Sequence, residues 1–442
     1  MLQKFKEHIQ LNFPFLKDKK LLIAISGGLD SVVLTQLFSE LNFDISLAHC
    51  NFQLRGKESN LDEEFVKLLS QKMSNQIFTI KFNTKEFSKN QKLSTQIAAR
   101  ELRYNWFQEL IEQHNFDFVL TAHHADDNLE TFLINLTRGT GLDGFTGIPK
   151  INGNIVRPLL AFSREEISTY AKANNIEWRE DASNASTKYI RNKIRHQIVP
   201  VLKEINPNLL ETFSKTAKNL QESKQIIEDR IADISTKVIE TENEILKINI
   251  EEINQLSNPK AYLHQLLRSY NFTEWDDVYS LLSAQSGKQV FSKTHRLLKD
   301  RALLLLSRKN EDENQHEEIY FVAENDQEIS NPISLTFKDV DEKSTENKQT
   351  IYIDKKMLKY PLIVRKWRNG DYLYPLGMQG KKKLSKYFKD EKFSLLEKEN
   401  TWLLCNAENE IIWVINHRQD KRFVNDHNLK ISVKNKDLTK LQ

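Results

Sequence analysis

Short apolar runs alternate with amphipathic segments over the first 160 residues, and this alternation constrains the fold more than any other feature. The runs have the composition of β-strands and cover Leu21–Ile25, Ile45–His49, Gln76–Phe82 and Phe116–Thr121. The intervening segments repeat apolar residues at helical spacing over Asp30–Leu41, Leu61–Met73 and Ser94–Gln113. Strands that alternate with helices are typical of a parallel sheet covered by helices on both faces. We therefore predict an α/β fold for this part of the chain.

Glycine is scarce in this chain, with 12 in 442 residues, and ten of the 12 fall in three stretches. These stretches are Gly27-Gly28, Gly139 to Gly153 and Gly370 to Gly380. Glycine adopts left-handed backbone conformations easily and lets a ligand approach the backbone closely. Each stretch is therefore a candidate functional site.

The first glycine stretch lies between a predicted strand and a predicted helix, in the sequence Ser26-Gly27-Gly28-Leu29-Asp30-Ser31. The backbone N–H groups of such a turn and the positive N-terminus of the helix form an anion site. The serine hydroxyls can donate to phosphate oxygens, and Asp30 suits a magnesium ion beside a phosphate. No Gly-Lys-Ser/Thr follows, which excludes a Walker-type loop. The alternative is a tight turn with Asp30 as the helix cap.

The Ser26–Ser31 sequence resembles the S-G-G-x-D-S loop of the N-type ATP pyrophosphatases, which cleave ATP between the α- and β-phosphates. The resemblance implies a Rossmann-like PP-loop ATPase domain whose loop holds the pyrophosphate part of ATP, and a reaction through an adenylated intermediate. His49 stands at the predicted end of the second strand, where the crevice of such a sheet opens, and is a candidate ATP contact. A core or surface histidine is the alternative for His49.

The second glycine stretch contains G-x-G-x-x-G at Gly139–Gly144, but a helical pattern precedes it, whereas a dinucleotide-binding loop follows a strand. The segment before it, His123 to Thr131, follows a predicted strand and opens a helix. Asp126 and Glu130 share a helical face there and are candidates for binding magnesium or a substrate ammonium group. Acidic residues that stabilise the helix N-terminus are one alternative. A zinc site from His123, Asp126 and Glu130 is another, although carboxylate-rich sets suit magnesium better.

A further run reads D-x-S-N from Asp181 to Asn184 and R-N-x-I-R-H from Arg191 to His196. Arg191 and Arg195 are four residues apart on a predicted helix and can bind phosphates with their planar guanidinium groups. Together with the His123–Thr131 segment, this run resembles the tRNA(Ile)-lysidine synthetases. Arg100 and Arg103 match a family arginine pair, which implies nucleotide or tRNA contacts. Surface arginines in salt bridges are the alternative for these positions.

The third glycine stretch lies in a basic region, since Lys355 to Lys392 contains 12 Lys/Arg and 3 acids. Its glycines, lysines and aromatic residues form a candidate RNA-binding surface. The R-x-G-D and K-K-L-x-x-Y-F elements here resemble the C-terminal domain of the same synthetases. A solvated basic β-domain is the alternative.

Composition and charge divide the chain into four parts. We predict a catalytic domain at 1–205, a helical middle domain at 206–310, an acidic linker or edge at 311–346, and a small α+β domain at 347–442. The acidic part contains 12 acids and 2 bases.

No apolar run approaches the ~20 residues of a membrane span, and two cysteines cannot form a disulfide framework. The chain is expected in the cytoplasm, with no membrane association. The sequence leaves open whether the chain forms a homodimer.

The resemblance implies a reaction of ATP, L-lysine and a tRNA(Ile) with a CAU anticodon, with Mg²⁺ held by Asp30 or a neighbouring carboxylate. The products are lysidine, AMP and pyrophosphate. The expected ATP contacts are Ser26, Gly27, Gly28, Leu29, Asp30, Ser31, His49 and Arg103. The expected catalytic residues are Asp30, His123, Asp126, Asp127 and Glu130, with Asp127 and Glu130 orienting lysine. The expected tRNA contacts are Arg100, Arg191, Asn192, Arg195, Arg365, Arg368, Lys381, Lys382 and Lys383.

Three positions depart from the family pattern, and two other functions remain open. An aliphatic residue is common at Cys50, a histidine often stands near Phe52, and an arginine is expected at Lys398. A tRNA thiolase could use the same loop, but such enzymes need reactive cysteines or a cluster, and this chain has only Cys50 and Cys405. A tRNA-binding protein without catalytic activity is the second alternative, which the intact Ser26–Ser31 loop disfavours.

Overall fold

The predicted parallel sheet is present and consists of strands β1 (Leu21–Ala24), β2 (Ile45–Asn51), β3 (Ile77–Lys81) and β4 (Phe118–Leu120), with two short strands, β5 (Ile151–Asn152) and β6 (Ile155–Val156). The strand order is β3-β2-β1-β4-β6-β5, and only the β5–β6 pair is antiparallel. The chain moves outward from β1 to β2 and β3 and then returns to β4 on the other side of β1. Such a reversal opens a crevice at the carboxyl ends of the strands.

A computed structural model of the chain describes residues 1–180, 190–242, 244–309, 319–340, 347–424 and 428–434. The chain forms two compact units, Met1–Asp229 and Arg230–Gln442. The helices that lie entirely in the first unit are α1 (Leu2–Asn12), α2 (Leu29–Glu40), α3 (Lys57–Lys72), α4 (Thr84–Asn90), α5 (Thr95–His114), α6 (Ala125–Arg138), α7 (Leu142–Phe145), α8 (Arg164–Ala173), α9 (Ile190–Lys193) and α10 (Val199–Ile205). A π-helical turn at Ile194–Ile198 joins the last two.

The two helices that shape the crevice begin at side-chain caps. At the start of α8, the Ser163 hydroxyl accepts from the Glu166 N–H, and the Glu166 carboxylate accepts from the Ser163 N–H. The sequence Ser163-Arg164-Glu165-Glu166 has the Ser-x-x-Glu spacing that is typical of this reciprocal capping. His124 and Asp127 form the same arrangement at the start of α6, where histidine takes the place usual for serine or threonine.

The second unit is built around antiparallel sheets. Helix α11 (Leu209–Val238) enters it from the first unit, and its other helices are α12 (Ile250–Asn254), α13 (Pro259–Leu267), α14 (Trp275–Ser280), α15 (Leu384–Asp390) and α16 (Leu395–Asn400). The strands are β7 (Ile239–Glu242), β8 (Ile245–Asn249), β9 (Gln289–Phe291), β10 (His295–Asp300), β11 (Leu303–Arg308), β12 (Ile319–Val322), β13 (Glu328–Ile329), β14 (Leu335–Asp339), β15 (Thr350–Ile353), β16 (Leu362–Lys366), β17 (Tyr372–Leu373), β18 (Lys382–Lys383), β19 (Trp402–Cys405), β20 (Ile411–Val414), β21 (Arg418–Gln419) and β22 (Leu429–Val433).

The helical middle region contains more sheet than the sequence suggested. Helix α11 bears out the helical pattern, but β7 to β11 then form a five-stranded sheet in the order β7-β8-β11-β10-β9. Short apolar runs such as Leu303–Leu306 do not distinguish a strand from a buried helix by periodicity, and antiparallel pairing with β8 and β10 decides the outcome here. Within the acidic segment, β12 lies at the edge of a second sheet, in the order β12-β16-β19-β20-β21. Among the helices that the structure describes, none is long and apolar enough to cross a membrane.

His8 on α1 makes the stability of the fold sensitive to acid. Its ring packs edge-on against Phe13 and Phe162, and burial, assisted by Lys150, lowers the pKa of His8 from 6.5 to about 4. Between these two pKa values the unfolded chain binds more protons than the folded chain, so folding stability falls as pH drops through this window. We expect the thermal midpoint to fall less between pH 7 and pH 5 in His8→Gln than in the unsubstituted protein. Equal falls in a differential scanning experiment would contradict this assignment.

Candidate active site

A cleft of about 900 Å³ opens at the carboxyl edge of the parallel sheet, beside the ends of β1, β2 and β4. Seven of the described residues that line it are basic, namely Arg55, Arg103, Arg164, Lys172, Arg179, Arg191 and Arg195. Four are acidic, namely Asp30, Asp62, Asp127 and Glu180. An excess of positive charge in a concave site attracts polyanions such as nucleotides and nucleic acid.

The Ser26–Ser31 loop forms the floor of this cleft between β1 and α2. Gly28 occupies the N-cap position of α2 and supplies no side-chain cap, so the N–H groups of the first turn are not covered by a capping side chain. Gly27 has a φ of +87°, and a Cβ at this position would lie 3.4 Å from the Phe65 ring. The Ser31 hydroxyl donates to the Gly28 carbonyl at 2.9 Å and closes the turn. Asp30 lies inside the first turn, so the alternative of Asp30 as the N-cap is not observed.

The Asp30 carboxylate extends from this loop into the cleft. Its Oδ2 accepts from Arg164 Nη1 at 3.1 Å, while Oδ1 is buried and has no hydrogen-bond partner among the described residues. A carboxylate oxygen at a phosphate-binding loop is a suitable magnesium ligand, because Mg²⁺ prefers one or two carboxylates together with substrate phosphates. No three His, Cys, Asp or Glu side chains of the described chain come together as a metal site. The zinc alternative with His123, Asp126 and Glu130 is therefore not supported.

His124 connects the loop to the helix that follows β4. Its Nδ1 accepts from the Asp127 N–H at 3.4 Å, and its Nε2 lies 3.4 Å from Asp127 Oδ2 and 3.8 Å from Asp30 Oδ2. The ring is 1% exposed. His124 therefore orients two carboxylates that come from opposite sides of the β1–β4 crevice.

Asp127 and Glu130 share the guanidinium group of Arg195. Arg195 donates to Glu130 at 2.6 and 3.0 Å and to Asp127 at 2.9 Å. Burial, which outweighs the hydrogen bond from Arg195, raises the pKa of Glu130. Burial alone would raise the pKa of Asp127, but His124, His123 and Arg195 outweigh it and lower that pKa. Asp127 lines the cleft, whereas Glu130 lies behind Arg195. Arg191 donates to Thr131 on the same helix at 2.8 Å.

His123 lines the cleft as a neutral imidazole. Burial lowers the pKa of His123 to about 4, despite the opposing effect of the Asp127 carboxylate. Its Nδ1 lies 3.0 Å from the Thr121 hydroxyl at the end of β4. A neutral ring can donate or accept a hydrogen bond without adding charge to the cleft.

Besides Glu130, the predicted site residues Asp126 and His49 do not line the cleft. Asp126 accepts from Lys203 Nζ at 2.6 Å and from the Arg164 N–H at 2.9 Å, so its carboxylate joins α6, α8 and α10 instead of facing substrate. His49 lies on the face of β2 opposite Ala48 and Cys50, because side chains alternate along a strand. Its Nδ1 donates to the Ile25 carbonyl at 2.9 Å, just before the loop. In this structure neither side chain faces the cleft, which disfavours a direct contact with substrate or ATP.

Arg103 and Phe52 form one wall of the cleft. The Arg103 guanidinium lies 5.2 Å from the centre of the Phe52 ring, which stacks on Phe82 at 5.7 Å. Arg100, one turn earlier on α5, is exposed and lies over Tyr104. Cys50 also lines the cleft, and burial raises the pKa of its thiol to about 12. Burial raises the pKa of Cys405 to about 12 as well, so neither cysteine is a thiolate at neutral pH, which disfavours the thiolase alternative.

The candidate tRNA contacts of the second unit differ in exposure. Arg365 is 2% exposed and forms a two-pronged ion pair with Asp371 at 2.9 Å in each branch. The expectation that Arg365 contacts tRNA is corrected, because its guanidinium is part of the core of this unit. Lys382 is half-buried and pairs with Asp390, whereas Lys381 and Lys383 are exposed. Arg368 is partly exposed.

Sequence reasoning missed the basic residues that hold the acidic ones. Arg164 contacts both Asp30 and Asp126, and Lys203 holds Asp126. Arg164 lies at the start of α8 and Lys203 lies on α10, and nothing in their spacing along the sequence shows that they meet carboxylates 38 to 134 residues away. Asn192 is half-buried on α9. Asp181 and Asn184 lie outside the described residues.

A phosphate-binding loop after β1, a carboxylate helix after β4 and a basic cleft between them define an ATP-using enzyme of the PP-loop class. Residues 1–202 match the PP-loop domain family, 240–309 the TilS substrate binding domain family, and 362–434 the TilS substrate C-terminal domain family. Curated relatives named tRNA(Ile)-lysidine synthase include those of Parabacteroides distasonis and Bacteroides thetaiotaomicron, each 38% identical, and Porphyromonas gingivalis, 35% identical. The alignments cover 94%, 97% and 92% of this chain and the same shares of the relatives. The chain belongs to the tRNA(Ile)-lysidine synthase family.

Proposed function

We propose that this chain joins L-lysine to position 2 of the wobble cytidine of a tRNA(Ile) with a CAU anticodon, at the expense of ATP. The product, lysidine, switches codon reading from AUG to AUA. The observation that carries this proposal is a single basic cleft that contains both the Ser26–Ser31 loop and the Asp127 carboxylate. The loop suits the phosphates of ATP, and the carboxylate suits an ammonium group. Since ATP and tRNA are both cytoplasmic, we expect the reaction in the cytoplasm.

The first step is the attack of the cytidine O2 on the α-phosphate of ATP, which releases pyrophosphate and leaves an adenylated base. Such a step depends on positioning and charge neutralisation more than on a strong base. The N–H groups at the start of α2 and the hydroxyls of Ser26 and Ser31 hold the phosphates in this proposal. Asp30 is the proposed ligand for magnesium, which neutralises phosphate charge when bound. Arg103 and Phe52 form the wall against which the adenosine packs.

The second step is the attack of the lysine ε-amine on C2 of the adenylated cytidine, which releases AMP with the former O2. The amine must lose a proton first, since the ordinary pKa of a lysine side chain is ~10.4. Asp127 and Glu130, with Arg195 between them, bind and orient the lysine in this proposal. Removal from water inside the cleft disfavours the ammonium form and lowers the pKa of the amine. His123 contributes a neutral hydrogen-bonding group beside this position.

The proposed tRNA contacts are basic and amide side chains that are exposed or partly exposed. Those of the first unit are Arg100, Arg191 and Asn192, and those of the second unit are Arg368, Lys381 and Lys383. Phosphate contacts of this type orient the RNA and make binding depend on salt concentration. Arg195 has a different part in the proposal, because its guanidinium group is engaged by Asp127 and Glu130.

The direct test is to incubate the protein with ATP, labelled lysine and a verified tRNA(Ile) transcript with a CAU anticodon. We expect a lysine adduct on cytidine 34 by mass spectrometry, with one AMP and one pyrophosphate per adduct. A tRNA(Met) transcript with the same anticodon is the matched control and should give no adduct. Binding of tRNA without any release of pyrophosphate would favour a non-catalytic RNA-binding protein and overturn the proposal.

A further inference from the structure

Two arginines beside the phosphate loop share one buried carboxylate. Asp62 on α3 is 7% exposed; its Oδ1 accepts from Arg179 Nε at 2.6 Å and its Oδ2 accepts from Arg55 Nη2 at 2.6 Å. Arg179 also donates through Nη2 to the exposed Glu58 at 2.8 Å. All three members of the Arg55–Asp62–Arg179 cluster line the cleft. The buried Asp62 carboxylate thus holds two guanidinium groups together at the wall of the cleft.

This cluster is attached directly to the phosphate loop. The Arg179 N–H donates to the Gly27 carbonyl at 3.0 Å. A Cβ at Gly27 would lie 3.9 Å from the Asp62 carbonyl oxygen, so α3 passes close to the loop at this point. The cluster therefore cannot shift far without moving the backbone of Gly27.

The strand order places the cluster opposite the reacting groups. His123 and Asp127 follow β4 on one side of β1, whereas Arg55 and Asp62 follow β2 on the other side. In phosphoryl and nucleotidyl transfer, the attacking and leaving oxygens lie roughly in line across the phosphorus atom. A nucleophile that enters from the β4 side therefore expels its leaving group toward the β2 side.

We propose that Arg55 and Arg179, held by Asp62, form the pyrophosphate end of the ATP site. This inference rests on the proposed function, because it assumes cleavage of ATP between the α- and β-phosphates. Each guanidinium has five N–H donors in a planar array, so it can bind a phosphate oxygen in addition to the carboxylates that hold it. The pair holds the β- and γ-phosphates of ATP and then the pyrophosphate until it departs.

The test is calorimetric titration of the full chain with ATP, AMP and inorganic pyrophosphate, in the absence of tRNA and lysine. Arg55→Met and Arg179→Met are the variants, and Lys67→Met is the matched control, since Lys67 pairs with Glu63 on the same helix at 2.7 Å. Loss of a charge-assisted hydrogen bond weakens binding by about 10- to 100-fold. We expect that loss for ATP and pyrophosphate in each arginine variant, with AMP affinity within about twofold of the unsubstituted protein, and no change in Lys67→Met.

Equal weakening of ATP and AMP, or unchanged pyrophosphate affinity, would overturn the assignment and leave the cluster a purely structural one. If a methionine variant does not fold, Arg55→Lys and Arg179→Lys replace it, because they keep the charge but lose the planar array. We expect these variants also to weaken the binding of ATP and pyrophosphate and to leave the binding of AMP unchanged. Product inhibition of lysidine formation by pyrophosphate should weaken in parallel. The titrations need no tRNA, so a failure to form lysidine would count against the proposed function and would not affect this readout.

Discussion

Substitution of Asp30→Asn is expected to lower the rate of pyrophosphate release from ATP and tRNA by about 100- to 1,000-fold. The Asp30 Oδ2 already binds Arg164, whereas the buried Oδ1 has no protein partner in the described chain. Asparagine keeps the size of the side chain but removes the negative charge that would hold magnesium beside the phosphates. The measurement is single-turnover pyrophosphate release without lysine, which isolates the adenylation step.

The matched control for this prediction is Asp117→Asn. Asp117 accepts from the Lys20 N–H and pairs with Lys19 on the surface, away from the cleft, so its variant should release pyrophosphate at the ordinary rate. Raising the magnesium concentration should recover part of the activity of Asp30→Asn. Full adenylation activity in Asp30→Asn would remove Asp30 from the catalytic groups.

The variant Glu130→Gln is expected to raise the KM for lysine by about 10- to 100-fold. This rise corresponds to a loss of ~1.4 to 3 kcal/mol in the binding free energy of lysine. Glu130 is 1% exposed and receives two hydrogen bonds from Arg195, which also binds Asp127. Glutamine removes one negative charge from this buried group and leaves Arg195 to be neutralised by Asp127 alone. Asp127 would then be less able to attract the lysine ammonium group, while the phosphate loop stays intact.

Lysine dependence and pyrophosphate release should be measured separately in Glu130→Gln. Glu63→Gln is the control, because Glu63 is another buried glutamate, paired with Lys67 on α3 outside the cleft. If Glu130→Gln kept the ordinary KM for lysine and abolished adenylation, the carboxylates of α6 would belong to the first step and not to lysine binding. A lower thermal midpoint with unchanged kinetics would instead assign Glu130 a structural role.

Local sequence patterns accounted for the elements that frame the site. The predicted run Leu21–Ile25 forms β1, and the helix predicted to open in the segment His123 to Thr131 is α6. Patterns of this kind are informative because apolar periodicity and capping chemistry act over a few residues. The five-stranded sheet of β7 to β11 was missed for the opposite reason, since the pairing of β8 with β11 joins residues as far apart as Leu246 and Leu306.

The site residues show the same contrast between local features, which the sequence predicts, and long-range contacts, which it does not. The Ser26–Ser31 loop was recognisable because its anion-binding groups are consecutive, and Asp127 because it opens a helix after a strand. His49 was predicted to contact ATP, whereas the alternation of side chains along β2 puts it on the face away from Cys50 and the cleft. Arg365 was misassigned because a basic residue near other basic residues suggests a surface, whereas its ion pair with Asp371 is buried.

The sequence by itself therefore determined the class of fold, the phosphate loop and the family, since each depends on residues close together along the chain. The tertiary structure decided which charges meet: Arg164 with Asp30, Lys203 with Asp126, Arg195 with Glu130, and Arg179 with Asp62. These partners are 65 to 134 residues apart. Because a buried charge needs a counter-charge within a few ångströms, the folded backbone alone selects the pairs, and the pairs determine which groups face the substrate.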